Sequence, residues 1–156
     1  MLLLKNLLFT VVVPGTVAVY VPLTIVRGHA PAEGLDLLVA LLVLGPGVGI
    51  YVWCAWDFAT FGRGTPAPID APKRLVVRGL YRVTRNPMYV GVLTVILGWA
   101  MLFHAPALLL YGIAVWTCFE TFVVFYEEPH LRQVFGSEYE SYCARVGRWL
   151  PRRGRR

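Results

Sequence analysis

The chain has 156 residues, with 15 Lys plus Arg against 9 Asp plus Glu and a formal net charge of +6. Hydrophobic residues make up 57% of it. This excludes a disordered chain, and it is more apolar surface than so small a soluble body can bury. The positive surplus alone would permit a nucleic-acid binder, but its distribution along the chain points to a membrane.

The spacing of charged residues sets the first elements. Between Lys5 and Arg27 lie 21 uncharged residues, between Asp36 and Asp57 lie 20, and between Arg85 and Glu120 lie 34. A bilayer core takes about 20 apolar residues per helix. The first two stretches are therefore read as one span each. The first is read as a retained helix rather than a signal peptide, because no small-residue cleavage site precedes a soluble domain. The third stretch is too long for one span and carries His104-Ala105-Pro106 near its middle. It reads as a helical hairpin, 87–103 and 106–126.

The expected fold is therefore an all-α integral membrane protein with about four transmembrane helices, the last two forming a hairpin. A short amphipathic cytoplasmic helix follows near the C-terminus. One domain is expected: an N-terminal two-helix part (1–61), a cytoplasmic loop (62–86), the hairpin (87–126) and a cytoplasmic tail (127–156). With the first helix running from inside to outside, 14 of the 15 basic residues fall on one side, and only Arg27 on the other. Positive charge marks the cytoplasmic face, so both termini are expected there, in a bacterial inner membrane.

Local punctuation refines the elements. Gly45-Pro46-Gly47-Val48-Gly49 interrupts the second span. Its small residues suit close helix packing, and Pro46 suits a kink. The loop 62–78 is rich in glycine and proline, hence in turns. Asn86-Pro87 reads as an N-cap followed by the first helical residue, opening the third helix at the cytoplasmic surface. The fourth helix is expected to end at Glu127-Glu128-Pro129, because proline breaks the hydrogen-bond ladder. Ser137 and Glu140 form a capping-box pattern that starts a short helix reaching to about 148. Tyr139, Tyr142, Cys143 and Val146 share one of its faces, which is expected to lie along the membrane surface.

Two cytoplasmic clusters carry the candidate chemistry: GLYRVTRNPMYVG at 79–91 and EEPHLRQVFGSEYESYCARVGRWLP at 127–151. The hairpin brings them to the same face, where such a mixture can hold a polar cofactor. Glu120 lies inside the fourth helix. An intramembrane acid is a functional candidate by default, with pairing to a neighbouring polar group as the equal alternative. Glu127 and Glu128 at a helix C-terminus oppose its dipole, a placement that suggests use. Arg78, Arg82 and Arg85 can serve as topological anchors, with Arg85 the best placed to touch a ligand. Tyr81 and Tyr89 can be ordinary interfacial aromatics. The terminal arginines read as lipid-headgroup anchors. The cysteines are not placed for a stable disulfide. No metal site is expected, since the sequence has no CxxC and its histidines are scattered.

Together the clusters resemble the integral-membrane methyltransferases of the isoprenylcysteine carboxyl methyltransferase and phospholipid methyltransferase superfamily. The resemblance rests on Gly79, Tyr81, Arg85, Asn86, Pro87, Tyr89 and Gly91, then on Glu127, Glu128, Pro129, Leu131, Phe135, Gly136, Tyr139, Tyr142 and Pro151. It covers the C-terminal half; the first two helices carry no diagnostic residue. It implies S-adenosylmethionine as cofactor, and a lipid-like or hydrophobic methyl acceptor, such as a prenylcysteine-type carboxylate or a phospholipid amine, entering from the bilayer. Membrane lipids are the expected surroundings, with no nucleic-acid partner. Cofactor binding is assigned to Gly79, Tyr81, Asn86, Pro87, Gly91, Glu127, Glu128, Leu131 and Tyr139. Catalytic positions are assigned to Arg85, Glu120 and Tyr89, with Arg85 as the bidentate contact for an acceptor carboxylate or phosphate. Asn86 stands where many members have histidine and cannot titrate near neutral pH. The alternatives are an NADPH-dependent membrane reductase of the sterol-reductase type and a non-enzymatic membrane scaffold.

Overall fold

In the computed structural model, residues 2–62 and 74–152 are described, with side chains from residue 8 onward. Arg63, Lys73 and the terminal Arg153, Arg155 and Arg156 fall outside them, as does most of the glycine- and proline-rich loop.

Among the described residues the chain is helical, and its elements follow the charge spacing. The first span comprises α1 (Leu2–Gly15), a π-turn (Thr16–Tyr20) and α2 (Val21–Ile25). The second is α3 (Gly34–Asp57), continued by a π-turn over Phe58–Gly62. A 3-10 turn (Gly79–Arg82) leads into α4 (Pro87–Leu102), which turns back at 103–105 into α5 (Pro106–Phe122). Among the described residues, three helices are long and apolar enough to cross a membrane: Leu8–Ile25, Gly34–Phe61 and the one beginning at Pro106. α4 is shorter, at 16 residues, about 24 Å by helix rise.

α4 is the helix most enclosed by its neighbours. The seam between it and α3 rests on two glycines. A Cβ on Gly91 would stand 3.0 Å from the Gly47 carbonyl oxygen and 3.0 Å from the Tyr51 amide nitrogen. Without side chains at these points the two backbones touch, which is how helices gain contact in lipid. Tyr51, Val92, Val95 and Ile96 fill the core around this seam, with Ala18 and Val115 completing it. Trp99 and Tyr111 tie α4 and α5 to the first span, donating hydrogen bonds to the carbonyls of Ala18 and Val17. Leucines such as Leu38, Leu41, Leu42 and Leu110 remain exposed, as a lipid-facing surface requires.

Two expectations need correction. The helix carrying Glu120 does not end at Pro129. It passes through a π-turn (Val123–Glu127) into α6 (Glu128–Arg145), with Pro129 near the start of α6. A π-turn widens the backbone just where the proline ring would press on the preceding turn, so the helix continues. The break falls at Gly136 instead, at φ 50° and ψ −125°. The second correction concerns the amphipathic face of the last helix. Tyr139, Tyr142, Cys143 and Val146 pack against Leu75, Val77, Leu131 and Phe135. Their apolar face is spent on the protein itself rather than laid on a bilayer.

The glycine seam can be tested. Gly47→Ala would put a methyl group 2.9 Å from the Val95 amide nitrogen, whereas Gly49→Ala would meet nothing within 4 Å. Gly47→Ala is expected to cost about 1–3 kcal/mol through overpacking, lowering the thermal midpoint in detergent. Gly49→Ala should hold or raise the midpoint through better helix propensity. Equal midpoints for the two variants would refute the seam.

Candidate active site

The two clusters meet at one end of the helical bundle, and the chain's last described segment binds them together. Thr84 and Gly147 form a parallel bridge. The Arg85 amide donates to the Gly147 carbonyl at 2.9 Å. The Arg148 carbonyl accepts from Thr84 Oγ1 at 2.8 Å and from Asn86 Nδ2 at 3.1 Å. Asn86 thus occupies the N-cap position of α4 without capping it through its side chain. The capping role expected from the sequence is displaced because its amide holds the Arg148 carbonyl instead.

This anchoring sets Arg148 between two acids. Its Nε and Nη2 donate to Glu128 Oε1 and Oε2 at 2.8 and 3.2 Å, and its Nη1 donates to Glu120 Oε1 at 2.8 Å. Trp149 Nε1 donates to the other Glu120 oxygen at 2.5 Å. Glu120 therefore has partners within the protein. Glu128 also meets Arg85 Nη1 at 3.1 Å and Arg132 Nη2 at 3.2 Å. It is only 4% exposed. Burial draws its pKa upward, but the Arg148 hydrogen bonds and the charges of Arg85, Arg148 and Arg132 outweigh that. The net effect holds it below the ordinary carboxylate range.

Glu127 is placed differently. Its Oε2 accepts from Tyr89 OH at 3.0 Å, and its Oε1 accepts no hydrogen bond among the described residues. The Tyr89 ring stacks on Phe119 at 4.5 Å and lies 6.4 Å from Trp149. The result is an aromatic wall with Glu127 at one end and Glu120 at the other. Arg85 spends Nη1 on Glu128, Tyr139 OH and Cys143 Sγ, while its buried Nε has no partner among the described residues. Burial raises the Tyr139 and Tyr142 phenols above their usual range, so both remain protonated. Tyr142 OH donates to the Tyr81 carbonyl at 2.7 Å.

The structure thus joins Arg85, Asn86, Tyr89, Glu120, Glu127, Glu128 and Tyr139 through hydrogen bonds or through shared partners. Pro87 opens α4, the Tyr81 carbonyl accepts from Tyr142 OH, and Gly79 lies apart, against Asp57 and Trp53. Gly91 faces α3 across the glycine seam and Leu131 packs beneath Tyr139, both as packing positions. In the sequence Glu127 and Glu128 form one pair; the structure gives them different surroundings. Arg148 is in the sequence one of many basic residues on the same side, and Trp149 carries no signal there. The usable signal was Glu120, which needed a partner and had the tail arginines nearby. Among the described residues, no cluster of three metal-ligating side chains occurs.

The family model for phospholipid methyltransferase matches residues 35–138, from the start of α3 to just past the break in α6. The chain belongs to the phospholipid methyltransferase family. It is also similar to curated proteins of that kind. It is 35% identical over 79 residues to a probable protein-S-isoprenylcysteine O-methyltransferase of Oryza sativa subsp. indica, covering 50% of this chain and 41% of that protein. It is 33% identical over 79 residues to protein-S-isoprenylcysteine O-methyltransferase B of Arabidopsis thaliana, covering 50% and 40%. For the Schizosaccharomyces pombe protein-S-isoprenylcysteine O-methyltransferase the figures are 35% over 78 residues, covering 49% and 33%. The matched part of the chain thus spans well under half the length of each of these relatives. The family match ends before Arg148 and Trp149, which complete the acid cluster.

Glu128→Gln would leave three guanidiniums around a neutral amide. Breaking a buried pair on one side costs about 3–5 kcal/mol, so a clear fall in the thermal midpoint is expected. Because the folded-state pKa is depressed, the Glu128 contribution is fully present above its unfolded value, about 4.3, and is lost as pH falls through the folded value. Wild-type stability should therefore drop on acidification below the carboxylate range, and the Gln variant should lack part of that drop. Parallel pH profiles for the two proteins would contradict this account.

Proposed function

We propose that this chain is an S-adenosylmethionine-dependent methyltransferase acting on a lipid-like or hydrophobic acceptor at the cytoplasmic face of a membrane. The observation that carries the reading is Glu127, a carboxylate with one unengaged oxygen beside the Tyr89–Phe119–Trp149 wall. The donor set fits the cofactor. A carboxylate accepts ribose hydroxyls or pairs with an ammonium, and aromatic faces attract a sulfonium as they attract other cations.

When bound, the cofactor supplies a methyl group activated by positive sulfur. What remains for the protein is alignment of the acceptor with that methyl and exclusion of water. Tyr89 fixes the Glu127 carboxylate through its hydroxyl. Arg148 and Trp149 hold Glu120 in a fixed orientation. Glu128 serves the site indirectly, by keeping Arg85 and Arg148 in place. The acceptor class follows from the names of the family and its relatives: a prenylcysteine-type carboxylate or a phospholipid amine. The distribution of basic residues supports both termini on the cytoplasmic side, with a bacterial inner membrane as the setting. The described parts read as one methyltransferase domain, in which the first span and α3 support the hairpin and tail.

The test is binding of S-adenosylhomocysteine and of NADPH to the detergent-purified protein, measured by calorimetry. S-adenosylhomocysteine should bind and NADPH should not; the reverse outcome would sink the reading. Glu127→Gln should weaken S-adenosylhomocysteine binding by about tenfold, the scale of one charge-assisted hydrogen bond, with the thermal midpoint close to wild type. Unchanged affinity would remove Glu127 from the cofactor site.

A further inference from the structure

Asp57 ends α3, and in the sequence it marks only the limit of the second span. The structure buries it to 2% exposure. A buried carboxylate is costly unless its oxygens are engaged. Oδ1 pairs with Arg78 Nε at 3.1 Å. Oδ2 is buried without a hydrogen-bond partner among the described residues. It faces Gly79, where a Cβ would lie 2.7 Å from Oδ2 and 3.0 Å from Trp53 Nε1, and where φ is +55°. Both the left-handed backbone and the closeness of the carboxylate demand glycine here. The turn over Gly79–Arg82 therefore sits directly on the Asp57 carboxylate, with Arg78 clamped beside it and lying over the Phe61 ring at 5.6 Å.

That turn carries Tyr81. Its ring packs with Cys54 and Val76 and meets Phe58 edge-on at 5.6 Å. Its carbonyl is held from the far side by Tyr142 OH. The Tyr142 ring in turn lies 6.2 Å from that of Tyr139, whose hydroxyl accepts from Arg85 Nη1, so the turn is linked to the acid cluster through α6. The turn is thus gripped by α3 on one side and by α6 on the other, and the chain runs from it directly into Thr84 and Arg85, which hold the tail and Glu128.

We infer that Asp57 is a positioning residue for the cofactor pocket, seating the Gly79–Tyr81 turn between α3 and α6, beside the Arg85–Tyr139 side of the acid cluster. The inference rests on the methyltransferase reading and gives α3 a part in the site.

The experiment uses the full chain in detergent and reads two quantities: the S-adenosylhomocysteine dissociation constant and the thermal midpoint of the ligand-free protein. Asp57→Asn keeps the shape and the Oδ1 acceptor but removes the charge. Asp57→Asn and Asp57→Ala are expected to weaken binding about tenfold or more, as misplacement of a binding group does, at temperatures where the ligand-free variants remain folded. Tyr81→Ala should weaken binding similarly, and the Asp57→Ala/Tyr81→Ala double variant should lose little beyond Tyr81→Ala alone. Should Asp57→Ala fail to fold, Gly79→Ala lifts the turn off the carboxylate while leaving Asp57 in place, and the same loss is expected. Affinity within about twofold of wild type with only a lowered midpoint would overturn the inference, as would fully additive losses in the double variant. Wild-type protein that binds no S-adenosylhomocysteine would overturn the cofactor reading and this inference together.

Discussion

Glu128 sits at the junction of α5's continuation, the start of α4 and the tail, and three guanidiniums converge on it. Arg85 brings the segment that opens α4, Arg148 brings the tail, and Arg132 comes from the next turn of its own helix. One buried negative charge thus fixes three separate pieces of chain. The backbone bridge at Thr84 and Gly147 supplies the register, and the carboxylate supplies the attraction. Once Arg148 is held there, its remaining nitrogen reaches Glu120, and Trp149 follows. Trp149 then borders the Tyr89 ring at 6.4 Å.

Glu127 and Glu128 show how adjacent identical residues acquire different work. Neighbours on a helix point about 100° apart. Here that rotation turns Glu128 toward the arginines and Glu127 toward Tyr89. A π-turn ends at Glu127. It changes the helical phase between Glu120 and the Glu127-Glu128 pair, so that Arg148 bridges Glu120 to Glu128 rather than to the residue seven positions on. Simple heptad spacing would have chosen Glu127. π-turns recur at functional sites for this kind of reason.

The helices were legible because lipid leaves the backbone few options: a long uncharged stretch must satisfy its own hydrogen bonds. Asn86-Pro87 was legible as a boundary for a local reason, since Pro87 fixes its own geometry. What the Asn86 side chain does was not legible, because its partner is 62 residues away. Pro129 misled because a rule about regular helices was applied where the helix is locally widened. The motif residues gather at one end of the bundle. They could not separate Gly91, which packs on α3, from Glu127, which faces the aromatic wall, because both lie in the same recurring pattern. Arg148, Trp149 and Asp57 stayed hidden because each acquires its role only through contacts made across the fold.

The glycine contact between α3 and α4 bears on traffic through the membrane. Gly47 and Gly91 bring two backbones together near the middle of the second span, and aliphatic side chains of both helices lock on either side of the contact. An acyl or prenyl chain cannot slip between helices whose peptide groups already touch. Opening that seam would expose peptide groups to hydrocarbon and forfeit the packing that holds α4 in place. The α3–α4 side is therefore a sealed wall, closed to a lipid chain.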